Sequence, residues 1–173
     1  MATFVETGKV KGSVTLTLRD VKTGEIIGSR VSNNFVSEPG IYHVLDMLRN
    51  RSNVIGMAVG SAYCAVGTGS SAEDVWQTTL DAEVSGTGNP GRKAVTSVTR
   101  NNQTVLISTF FDANEASGTL TECGLFVTGY DSGGNLLTAS DSKDSGVMFS
   151  KATFTQITKD TSSSLTIDWS IAF

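Results

Sequence analysis

With 173 residues, 17% charged content and 18 glycines against 2 prolines, the sequence reads as one turn-rich domain over 1–173, long enough to bury a core. A formal net charge of −4, with no cluster of Lys and Arg, excludes a phosphate-neutralising nucleic-acid surface. No window is apolar for long enough to form a membrane helix. The first residues, MATFVETGKVKGSV, lack a signal-peptide core, so folding in a cytoplasm is expected.

In chain order, residues 1–8 are expected to form an extended arm, with Met1 and Phe4 as partner contacts. Val10, Gly12, Val14, Leu16 and Leu18 alternate with polar residues, which predicts a strand with one apolar face. Asp20 to Gly24 supplies a turn, and Glu25 to Val31 returns as the hairpin partner. Ser37-Glu38-Pro39 is a helix start, with a capping hydroxyl, an early acid and a proline in the first turn. Ile41, Val44, Leu45 and Leu48 then predict a short helix around 38–50 with that stripe facing inward. His43, roughly opposite the stripe, is expected to be an exposed surface residue rather than a catalytic base.

Val54 to Val66 reads as an inner strand and runs into Gly67-Thr-Gly69-Ser-Ser-Ala72, which has the spelling of a dinucleotide-binding fingerprint. That reading fails on context, because no long amphipathic helix follows to hold a pyrophosphate at its N-terminus. Residues 70–91 are expected to form a long irregular loop that Trp76 and Leu80 anchor onto the domain. Such a loop is where a partner is met, so Trp76, Leu80 and the following Arg92 are candidate contacts. Arg92 to Val98 begins the next strand, and Asn101-Asn102-Gln103 turns it back.

Val105 to Phe111 and Leu120 to Val127, joined by the turn residues Asp112 to Gly118, predict a long central hairpin. Within it, Glu122 needs solvent or buried donors. Gly129 to Asn135 is a turn cluster. Asp131 and Asn135 lack the ligand spacing of a calcium loop, so neither a metal nor a cofactor is expected. Val147, Phe149 and Phe154 to Ile157 give another strand, and Leu165, Ile167, Trp169, Ile171 and Phe173 alternate strictly in the last. That last pattern also resembles the closing strand of an outer-membrane barrel, but the chain lacks the aromatic girdles such a barrel needs. Cys64 and Cys123 are either two reduced core thiols or a disulfide. Asp112, Glu115 and Glu122 are the only grouped acids, and no nucleophile or base accompanies them, so no enzymatic activity is expected. The fold class these segments predict is mainly β, an antiparallel β-sandwich of jelly-roll-like form with one short helix.

The order of the segments resembles a recurrent type of tailed-bacteriophage virion protein. The resemblance rests on Val66-Gly67-Thr68-Gly69 with the downstream Thr79-Leu80 and Glu83, then Arg92, Glu122-Cys-Gly124-Leu125-Phe126, Lys159 and the closing strand to Phe173. The Glu-x-Gly-Leu-Phe element is also similar to a motif in tail-collar fibre attachment domains. The resemblance implies a non-enzymatic virion protein in which Gly67, Gly69, Glu122, Gly124, Phe126 and Lys159 are structural, with Glu122 and Lys159 as an ion pair. Its implied partners are the major capsid protein and further copies of itself, as a trimeric decoration or cement protein. The alternative is a tail, baseplate or fibre-anchoring component. An end inside a core strand, with no shaft following, favours decoration.

Overall fold

In the computed structural model, which describes residues 10–172, the first two strands form the expected hairpin. Strands β1 (Lys11–Asp20) and β2 (Ile26–Val36) pair antiparallel, and their turn closes on the Asp20 carboxylate, which accepts the N–H groups of Lys22 and Thr23. Met1, Phe4, the arm 1–8 and Phe173 lie outside the described residues. The remaining elements are α1 (Glu38–Leu48), β3 (Ala62–Gly67), β4 (Arg92–Ala94), β5 (Ser97–Asn101), β6 (Thr104–Phe111), β7 (Gly118–Val127), β8 (Gly129–Tyr130), β9 (Leu136–Leu137), β10 (Val147–Lys159) and β11 (Ser163–Ala172).

Nine strands hydrogen-bond in the order β4-β3-β7-β10-β2-β1-β11-β6-β5, and β8 and β9 form a separate small ribbon. The fold is mainly β and sandwich-like, but its two layers are wings of one curled antiparallel sheet. Strand β2 makes the join. Most of its length pairs with β1, while Phe35 and Val36 pair with Lys151 and Ser150 of β10. Alternation explains the curl, because each wing has one apolar face to bury. Val14 and Leu16 of β1, Ile107 and Phe111 of β6 and Trp169 of β11 meet Cys64, Cys123, Leu125 and Phe149 from the other wing in a single core.

Three expectations are corrected. The stretch 104–127 is not a hairpin, since β6 pairs with β5 and β11 whereas β7 pairs with β3 and β10. Asp112 to Ser117 is an arch between the wings, because the inward residues of β6 and β7 bury each other across the core instead of lying side by side. Arg92 to Val98 likewise divides into β4 in one wing and β5 in the other. The strand expected over 54–66 is confined to Ala62–Gly67, preceded by turns in which Asn53 and Gly60 have left-handed φ values of 65° and 83°.

The helix forms where it was expected, with Ser37 capping it by accepting the Gly40 N–H at 3.1 Å, but its buried side is rotated from the expected stripe, of which Val44 still packs partly against the core. Pro39, Gly40, His43 and Asp46 are buried, while Leu45 is 53% and Leu48 79% exposed. The contact is steric. Gly40 lies against the backbone of Phe149, where a Cβ would collide with the carbonyl oxygen, so this face lets the helix approach β10 closely.

His43, expected at the surface, is therefore fully buried, edge-on to Phe149, and neither ring nitrogen has a hydrogen-bond partner. Burial pushes its pKa below the usual value, and the Asp46 carboxylate opposes this only partly. Unfolding stability is expected to be level above about pH 6.5 and to fall as pH drops through that value, because the unfolded imidazole takes up a proton that the folded one resists. Urea unfolding followed from neutral to mildly acid pH checks this. His43→Leu should flatten the slope, and a slope that persists in the variant would assign it to other groups.

Candidate functional site

Strand β7 carries the Glu-x-Gly-Leu-Phe element on the wing formed by β3, β7 and β10, and the structure shows why those residue types stand there. Leu125 points into the core, whereas Glu122, Gly124 and Phe126 point to the outer face. The loop after β3 is strapped over that face. Glu122 is completely buried, and its carboxylate accepts four donors. Oε1 takes the N–H groups of Gly69 and Ala82 at 3.1 and 2.8 Å, and Oε2 takes that of Asp81 at 3.1 Å and the Lys151 ammonium at 3.0 Å. Gly67 and Gly69 are required because a Cβ at either would strike this carboxylate.

Lys151, only 1% exposed, also pairs with Asp81 at 3.0 Å. Burial raises the Asp81 pKa, but the hydrogen bond and charge of Lys151 outweigh this and hold it below the usual carboxylate range. Thr121 adds a hydrogen bond to the Gly69 carbonyl at 2.7 Å. The strap is thus fixed by one buried charge node joining β7, β10 and residues 69–82. The Glu122–Lys159 pair expected from the sequence does not form. Lys159 stands opposite Gly118, at the far end of β7, and donates instead to the carbonyls of Ala113 and Asp160.

A second buried pair lies beside the first. Arg92 donates to both carboxylate oxygens of Glu83 at 2.7 Å and to the Ser145 carbonyl, and its guanidinium stacks 3.7 Å over the Phe126 ring. Leu80 packs with Phe126, Met148 and Ala65 in a separate small cluster. Gly124 makes room for it, since a Cβ there would lie 2.8 Å from the Phe126 ring and 3.1 Å from Leu80. Leu80 and Arg92 are therefore corrected from surface contacts to interior residues, which hold the loop down by burial and by charge. No helix follows Gly67 to Ala72, so the fingerprint geometry is not formed.

Trp76 has the opposite placement and is 59% exposed. The strap presents it. Asp74 accepts the Trp76 N–H at 2.9 Å, Gln77 donates to Asp81 at 2.7 Å, and the first helical N–H, that of Glu38, donates to the Val75 carbonyl at 2.8 Å. This last bond docks the loop on α1. Trp76 shares a small cleft with Tyr42, Pro39 and Leu137, and Tyr42 also lines a second cleft with Leu45, Arg49 and Arg51. Trp76, Tyr42 and Leu45, joined through the two clefts, thus make an apolar surface on a backbone pinned from beneath.

The other candidates have structural roles. Asp131 is taken up by the N–H groups of Asn135, and Glu115 pairs with Lys93 at 2.7 Å in the arch, away from the donors that hold Glu122. Cys64 and Cys123 are free, buried thiols, and burial pushes Cys64 up to about 12 and raises Cys123 as well. Among the described residues, no group of three or more His, Cys, Asp or Glu is placed to hold a metal ion, and no helix is long and apolar enough to cross a membrane. Sequence reasoning missed Asp81 and Lys151, the partners in the node. Lys151 carries a signal, being a lysine in a strand segment between Val147-Met148-Phe149 and Ala152 to Phe154. No protein family, curated protein or solved structure matches the chain.

Proposed function

We propose that this chain is a non-enzymatic structural protein of a tailed-phage virion, which binds the outside of the assembled capsid lattice and stabilises it. The observation that carries the proposal is the exposed apolar surface of Trp76, Tyr42 and Leu45, set on a strap and a helix that buried charges and a glycine contact hold in place. An aromatic anchor on a pre-ordered backbone binds at a lower ordering cost. The order of motifs along the chain supports a virion setting, in which the chain would act as a trimer. A protein that binds only the assembled lattice stabilises it by mass action at every junction it bridges.

The test is to mix the purified chain with expanded, undecorated capsids, sediment them and count the bound copies. Copies in simple ratio to the major capsid protein are expected, with raised thermal stability of the particle. Trp76→Ala and Leu45→Asp should each weaken this binding by about 30-fold or more. Their unfolding stability should stay within about 0.5 kcal/mol of the parent, since both positions face solvent. Binding to tails at a few copies, with none to capsids, would replace this proposal by a tail-side role.

A further inference from the structure

At the open end of the sandwich, away from the strap, a groove of about 390 Å³ runs between α1, the edge strand β5 and the ends of β6 and β11. Its volume is within the range of small-molecule sites. The floor is apolar, formed by Phe149 and Ile171, each 1% exposed, and Val44, Val98 and Val105 make the walls. Two methionines, Met47 and Met57, complete it, and their unbranched side chains adapt to the shape of an inserted chain.

The polar end is at the rim. Val98 pairs with Ile107 and Arg100 with Val105, so alternation puts Arg100 on the inward-facing side of β5, as the one charged residue lining the groove among the described residues. Among the described residues, each of the other five arginines has a carboxylate or carbonyl acceptor: Arg19, Arg30, Arg49, Arg51 and Arg92. Arg100 has none among these residues, although a guanidinium is the donor best matched to a planar carboxylate.

We infer that this groove is a binding site for a free amphipathic carboxylate, its alkyl chain lying on Phe149 and Ile171 and its head group on Arg100. The inference is independent of any role on a virion. The apolar floor favours an apolar chain, and the cation at the rim selects a negative head over a neutral or positive one.

Calorimetric titration of the full chain with octanoate, decanoate and dodecanoate below their micellar concentrations tests it. Affinity should rise by about fourfold per added methylene until the groove is filled. Dodecyltrimethylammonium should bind at least about tenfold more weakly than dodecanoate, and Arg100→Ala should remove that preference while leaving the fold intact, since the side chain is exposed. Val105→Trp, which fills the groove, should abolish binding; Met57→Trp, in a loop, serves the same purpose if the first variant does not fold. Absence of saturable binding, equal affinity for cation and anion, or binding only to anionic vesicles would overturn the inference.

Discussion

Glu122→Ala is expected to lower the unfolding free energy by about 3–5 kcal/mol, the range for breaking a buried ion pair by removing one partner. Lys151 would remain buried with Asp81 as its only carboxylate, and the N–H groups of Gly69, Asp81 and Ala82 would lose their acceptor. Glu122→Gln is also expected to destabilise. A Gln oxygen can replace Oε1, but its amide N–H₂ would then face two donors, the Asp81 N–H and the Lys151 ammonium. Urea unfolding measures both variants, and a change of less than about 0.5 kcal/mol for Glu122→Gln would sink the node as the fixture of the strap. Combining Glu122→Gln with Lys151→Met in a double-mutant cycle isolates the pair term. A readout specific to the strap is amide exchange, which should accelerate at Gly69, Asp81 and Ala82 before it does in the core strands. Loss of the Trp76 surface should follow, because the residues that present Trp76 are bonded through Asp81 to this node.

Arg92→Ala is expected to cost a similar amount, about 3–5 kcal/mol, by leaving the fully buried Glu83 carboxylate without its guanidinium. The Phe126 ring would lose its stacking partner and the Ser145 carbonyl a donor. The informative comparison is Arg92→Met with Glu83→Leu together. If the pair's attraction mainly offsets its own desolvation, the double variant should return to within about 1 kcal/mol of the parent while each single variant stays low. A cost below about 1 kcal/mol for Arg92→Ala alone would show that water reaches the pair, contrary to its burial.

Several features were legible from local sequence because they depend on neighbours only a few residues away. Strict alternation from Leu165 to Ile171 placed β11 with its apolar side inward, Asp20 to Gly24 placed the first hairpin turn, and Ser37-Glu38-Pro39 placed the start of α1. The Gly67, Gly69 and Glu122 motif was recognisable as structural, although its partner was misassigned to Lys159. Only the tertiary structure decided which strands pair, since an arch between wings and a hairpin use the same turn residues at 112–117 and leave the same alternation on either side. It also decided the helix face. A stripe of Ile41, Val44, Leu45 and Leu48 records apolarity, but the close approach that Gly40 allows to Phe149 turned His43 inward and left Leu45 and Leu48 outside. Periodicity states which residues share a side. What that side meets depends on steric fit and on a charge meeting its donors from far along the chain, as the Glu122 carboxylate meets the Gly69 N–H across 53 positions, and these exist only once the chain has folded.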